Sequence, residues 1–187
     1  MPGLKFRVLL DTDKNEEIFR DILISDNDNF ESLFHCILKS FNFSGKQMAS
    51  FYVSNDSWDK GHEINLMDMS YDDDSIDAPP SVMKSAVIKN FLEEPDQKFI
   101  LIYDFLKMWI FLIELIGFDR TEPESPSVIL SVGHPPRENS KEILEETVFA
   151  TENSGADDYD ENDYNGFNDF EDDYYDDDLT DYNEENN

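Results

Sequence analysis

Apolar and polar positions alternate from the start of the chain. Leu4, Phe6, Val8 and Leu10 fall on one side, with Lys5, Arg7 and Leu9 on the other. A period of two marks a strand with one buried face. After a polar turn over residues 12–16 the alternation resumes over 17–25, where Ile18, Arg20, Ile22 and Ile24 oppose Phe19, Asp21 and Leu23. The two runs predict a β-hairpin with a turn longer than two residues. The period then becomes helical: Phe30, Leu33, Phe34, Ile37, Leu38 and Phe41 share one helical face. Asp28-Asn29-Phe30-Glu31 reads as a capping box, in which Asp28 accepts the amide at the third helical position and Glu31 reaches back. Ser44-Gly45 closes the helix.

Residues 48–54 alternate as a third strand, 55–61 form a turn-rich loop carrying Trp58, and 63–67 form a short strand. Residues 68–80 hold Asp72, Asp73, Asp74, Pro79 and Pro80 and predict an exposed loop. Ser81 is expected to cap a second helix over 81–94, with Val82, Met83, Val87 and Phe91 inward. Residues 98–105 and 108–118, rich in Ile, Phe, Tyr and Trp, predict a long hairpin of central strands. A last strand over 127–132 is followed by a Gly-Pro break and a short helix over 141–149. The order ββαββαβββ predicts an α+β fold: a β-grasp-like mixed sheet with two packed helices.

Charge divides the chain in two. It has 44 Asp+Glu against 14 Lys+Arg, a formal net charge of -30, and residues 151–187 hold 16 of the acids and no Lys or Arg. That tail contains seven aromatic residues but, as aliphatics, only Ala156 and Leu179. It cannot offset an ordering cost of about 1 to 2 kcal/mol per residue, so the expectation is a domain over 1–150 and a disordered acidic-aromatic tail over 151–187. An acidic surface repels phosphate backbones and anionic membranes, which excludes direct nucleic-acid binding and membrane-surface binding as expected roles. Residues 99–118 are mostly apolar but contain Asp104, Lys107 and Glu114. Each costs roughly 2.5 to 3.5 kcal/mol at a membrane-helix centre, so the stretch reads as core. Cys36 is the one cysteine, and no signal-like segment precedes Leu4, so cytoplasmic residence is expected.

No cofactor or metal is expected. His35, His62 and His134 lack short ligand spacing, and the run Glu161-x-Asp163-x-Asn165-Gly166 with Asp172 lacks the first Asp and last Glu of a calcium loop. Cys36 neighbours His35 in sequence but points about 100° away on a helix, and neither standard phosphate-binding glycine motif occurs. No catalytic residue is assigned. Four residues are candidates for an interaction surface or cleft: Trp58 in its polar loop, and Tyr103, Asp104 and Trp109, where a carboxylate lies in an apolar strand. Asp104 is read first as a turn acid bonded to backbone amides and second as a general acid or base.

Phe6-Arg7-Val8-Leu9-Leu10, Phe19-Arg20-Asp21-Ile22, His35-Cys36-Ile37-Leu38, Met48-Ala49-Ser50-Phe51-Tyr52, Glu63-Ile64 and the run from Tyr103 to Trp109 occur in this order. Together they resemble the plasmid pRiA4b ORF-3-like family over about residues 4–136. Leu106-Lys107 stands where that family's Tyr-Asp-Phe-Gly-Asp-x-Trp pattern has Gly-Asp. The resemblance implies a compact β-grasp-type α+β fold and no established activity. The expected function is a non-enzymatic interaction module that meets a protein partner. The alternatives are an enzyme centred near Asp104 and a tail that mimics nucleic acid toward a basic partner.

Overall fold

The structure, a computed structural model, describes residues 3–14, 16–68 and 81–143. Eight strands form one sheet: β1 (Gly3–Leu10), β2 (Phe19–Ser25), β3 (Ala49–Ser54), β4 (Lys60–Asn65), β5 (Ser81–Val82), β6 (Lys98–Tyr103), β7 (Trp109–Asp119) and β8 (Ser127–Val132). Their order across the sheet is β5-β4-β3-β6-β7-β1-β2-β8. All neighbours pair antiparallel except β4 and β5, which makes the sheet mixed. Among the described residues there is one α-helix, α1 (Phe30–Ser40).

The alternation read along β1 is the observed burial. Leu4, Phe6, Val8 and Leu10 lie in the core with Phe99, Leu101, Phe111 and Ile113 from β6 and β7. Phe30, Leu33, Phe34, Ile37 and Leu38 of α1 are all buried and belong to the same core. Phe30 sits edge-on to Phe51, Phe91 and Phe99 at ring separations of 5.1, 5.4 and 5.2 Å. Among the described residues every buried side-chain nitrogen and oxygen has a hydrogen-bond partner. Off the core face, Asp21, Arg7, Glu114 and Lys98 stand in register on β2, β1, β7 and β6, a row of alternating charge. Arg7 donates to both Asp21 carboxylate oxygens at 2.8 and 2.9 Å.

Arg20 lies on the stripe of core isoleucines and is only 5% exposed. Its guanidinium donates to four carbonyls: Ser40 at 3.1 Å, Phe19 at 2.8 Å, Val132 at 2.7 Å and Gly133 at 3.3 Å. It also lies 4.7 Å from the centre of the Phe41 ring. One cation thereby ties the end of α1 to β2 and β8, and it sits where the helix dipole is negative. Burial pulls its pKa down from the usual guanidinium value. Gly133 adopts φ +75, and a Cβ there would meet the Glu17 carbonyl at 2.7 Å, so this corner requires glycine.

Three expectations are corrected. Ser44-Gly45 does not close α1, which ends at Ser40 with Asn42 in the left-handed region at φ 59. The second helix over 81–94 does not form: residues 81–82 are β5, turns follow, and only Ile88–Phe91 makes a short 3-10 helix. Met83, Ala86 and Ile88 point inward, a spacing of three and two that no α-helix presents on one face. The segment's backbone groups are engaged elsewhere. Phe30 and Glu31, at the unsatisfied start of α1, donate to the Ala86 and Met83 carbonyls, and Ile88 donates to the Asp28 carbonyl. The helix cap is also displaced by one residue: Asn29, not Asp28, accepts the Ser32 amide, at 2.9 Å. The calcium-like run, the proposed disorder of 151–187, and most of the 68–80 loop and the 141–149 helix lie outside the described residues.

Candidate functional site

The antiparallel hairpin of β6 and β7 turns at residues 104–108. Asp104 and Met108 both take left-handed backbone angles, φ 58 and 52. Asp and Asn tolerate this region because the short polar side chain can satisfy nearby amides. Asp104 does so: one carboxylate oxygen accepts from the amides of Leu106 at 3.2 Å and Lys107 at 3.3 Å. Its carbonyl accepts from Lys107 and Met108, and its amide donates to the Met48 carbonyl. Asp104 is buried, and these bonds fit the turn-acid reading. Lys107 reaches Asn139 at 3.2 Å, while Phe105 and Leu106 stand exposed at the turn tip.

Asp104→Ala is expected to destabilise the fold by about 1 to 3 kcal/mol, from the lost amide bonds and the left-handed angle. Asp104→Asn keeps an oxygen acceptor and the tolerance for that angle, and should cost under about 0.5 kcal/mol. Urea unfolding of the two variants checks the contrast; equal losses would contradict it.

Tyr103 and Trp109 face each other across the hairpin and are both buried. Phe43 packs against both rings, at 6.0 and 5.0 Å. Buried Tyr and Trp require partners for their polar atoms, and Glu138 supplies them. Its carboxylate accepts from the Tyr103 hydroxyl at 2.6 Å, the Ser44 amide at 2.7 Å and the Ser44 hydroxyl at 2.9 Å. Its carbonyl accepts from the Trp109 indole at 3.2 Å. Lys141 donates to the Met108 carbonyl at 2.6 Å and lies over the Trp109 ring. The segment after β8 is thus fastened to the β6–β7 turn. Beside it lies a groove of about 340 Å³, lined by Asp11, Lys14, Ile18, Trp109, His134 and Lys141 among others. Neither Asp104 nor Tyr103 lines this groove.

Burial pushes the Glu138 carboxyl up, but the bonds from Tyr103 and Ser44 and the charge of Lys107 outweigh it, and the pKa is lowered. For Tyr103, burial first and then the Glu138 bond push the hydroxyl up. A carboxyl depressed on folding contributes stability above its unfolded value, and that contribution is lost as pH falls through the folded one. In a Trp58→Phe chain, Trp109 fluorescence should therefore change as pH drops through the lower carboxylate range, and Glu138→Gln should remove that change. A transition that persists in Glu138→Gln would contradict the assignment.

The four candidate residues do not form one site. Trp58, in the β3–β4 loop at φ 61, sits near Lys98, whose ammonium is 5.7 Å from its ring centre and ion-paired with Asp56. Lys98 pairs with Ser54 at one end of β6 and Tyr103 with Ala49 at the other, five residues or roughly 17 Å apart. Cys36 packs against the core and burial raises its thiol pKa, the reverse of an activated nucleophile, while His35 is exposed. His62 lies on β4 and His134 follows β8, near opposite edges of the sheet. Among the described residues no helix is long and apolar enough to cross a membrane.

Comparison with known proteins gives two findings. The model of the plasmid pRiA4b ORF-3-like protein family matches residues 2–184. The crystal structure of the protein of unknown function MM3350 from Methanosarcina mazei Go1 is similar to this chain, with a TM-score of 0.60 and 19% identity over 75% of each chain. At that identity the likeness concerns the fold. No curated protein sequence matches the chain.

Proposed function

The chain belongs to the plasmid pRiA4b ORF-3-like family, and from that premise we propose that it is a non-enzymatic interaction module that binds a protein partner. We class its body as β-grasp-like because a hairpin leads into a helix laid over one sheet face, and we take residues 151–187 as a separate acidic segment that favours basic partners. The observation that carries the reading is at the sheet edge: Val128, Ile129 and Leu130 of β8 are 40, 50 and 45% exposed, three consecutive aliphatic residues left uncovered. Adjacent exposed apolar groups of this kind mark association surfaces. By contrast the polar atoms of Tyr103, Asp104 and Trp109 accept from or donate to the chain itself, which gives an enzyme centred on Asp104 no support. Cytoplasmic residence belongs to the same proposal.

The test is affinity capture with the full chain, with V128E/L130E, and with the 16 tail acids replaced by Asn and Gln. A partner whose recovery falls in one variant or the other is expected. Bound proteins identical across all three would overturn the reading. The tail's composition also favours a nucleic-acid mimic; for that reading, binding confined to nucleic-acid-binding proteins and falling steeply with salt is the expected result.

A further inference from the structure

We infer that the outer side of β8 receives an extended, cationic segment of the partner as a ninth strand; this deepens the interaction-module reading and rests on it. The two edges of the sheet are unlike. At one end β5 has only two residues, Ser81–Val82. At the other, β8 has six, and Ser127–Val132 contains no charge and no proline. Short strands, edge lysines, prolines and β-bulges are the usual means of blocking strand addition, and of these β8 has only a bulge. Its one irregularity is the register shift that leaves Ile129 unpaired between Val128, opposite Ile22, and Leu130, opposite Asp21.

The register also says what an added strand would meet. Val128 shares the core-side face with Ile22, whereas Leu130 and Val132 share the other face with Asp21 and Phe19. A strand lying beside β8 therefore finds an aliphatic neighbour on each face, so alternating aliphatic side chains suit it.

Charge decides the occupant. A second copy would bring the same net charge of -30 to an edge whose preceding segment, residues 120–124, holds the exposed Glu122 and Glu124 against the exposed Arg120. Like charge opposes that encounter, and the same field draws in a segment carrying Lys or Arg between its aliphatics.

The experiment uses the full chain and a synthetic nine-residue peptide of alternating Lys and Val, with a control of equal charge carrying proline at the centre. Hydrogen exchange is followed at residues 127–132 while affinity is measured at 0.15 M salt. The Lys-Val peptide should slow exchange of the β8 amides at least tenfold; the proline control should not. V128E/L130E adds negative charge and should still bind at least tenfold more weakly, because the apolar contacts are gone. Leu130 lies on the outer face, but Val128 is 40% exposed on the core-side face, so the Tm of this variant should fall by a few degrees and affinity is compared well below it. Equal protection by both peptides, binding without β8 protection, or unchanged affinity in V128E/L130E would overturn the inference. So would β8 protection that grows with protein concentration in the absence of peptide, which would make a second copy the occupant. If β8 fails while capture still depends on the tail acids, the interaction-module reading stands and only the edge assignment falls.

Discussion

Phe30→Ala is expected to cost about 4 kcal/mol, near the upper part of the range for emptying a buried aromatic site. The ring has no exposed surface and meets three other rings edge-on. Such pairs add roughly 0.5 to 1.5 kcal/mol beyond area burial. The neighbours cannot collapse into the space easily, because Phe51 and Phe99 belong to paired strands and Phe91 to the 3-10 turn. For a body of this size the loss corresponds to a Tm lower by about 15 °C, and it is a large part of the total stability of an ordinary domain. Phe30→Leu should recover more than half of it. Thermal unfolding of both variants is the check, and a loss under about 1.5 kcal/mol in Phe30→Ala would mean that the helix is not docked as described.

Arg20→Met is expected to cost about 3 kcal/mol. The methionine retains the apolar stem, but the carbonyls of Ser40, Phe19, Val132 and Gly133 lose a shared donor. These carbonyls belong to half-buried or exposed residues that water can partly reach, so the loss is that of one or two unpaired acceptors at about 1 to 3 kcal/mol each, and the contact with Phe41 goes as well. Arg20→Lys should recover only part of the loss, since an ammonium is a compact charge that cannot span the planar fork of donors. Hydrogen exchange should quicken first at the end of α1, around residue 40, and in residues 131–133. Uniform loosening of the sheet would argue against the tie.

Arg20 also shows how far the sequence could be read. Its position on the stripe of Ile18, Ile22 and Ile24 was legible, and an arginine on a core stripe signals a satisfied buried cation. What it binds was not legible, because three of its four acceptors belong to backbone outside its own strand or at that strand's partner. The strands β1, β6 and β7 and the helix α1 could be read because alternation and a helical stripe are local signals. Residues 81–94 misled because their apolar spacing resembles a helix, whereas the choice lay with the first amides of α1 and the edge of β4 competing for the same carbonyls and amides. The cap shifted by one residue for a related reason: Asp28 and Asn29 are equally suited in isolation, and Asn29 also reaches the Lys84 carbonyl. Glu138 was the residue missed at the candidate site. It stands alone in the sequence, 35 residues beyond Tyr103. The only available hint was that two buried aromatics with polar ends must find acceptors. Trp58 shares only its aromatic character with Tyr103 and Trp109, and the strand register separates them.

The central claim is that binding takes place at the edge strand and that Asp104 shapes a turn. Measuring the affinity of a captured partner for D104N and V128E/L130E side by side, with the Tm of each, tests it most directly. The account predicts parental affinity for D104N and at least tenfold weaker binding for V128E/L130E, with D104N at parental Tm and V128E/L130E within a few degrees of it. The opposite pattern, a folded D104N that has lost its partner and a V128E/L130E chain that binds normally, would contradict it.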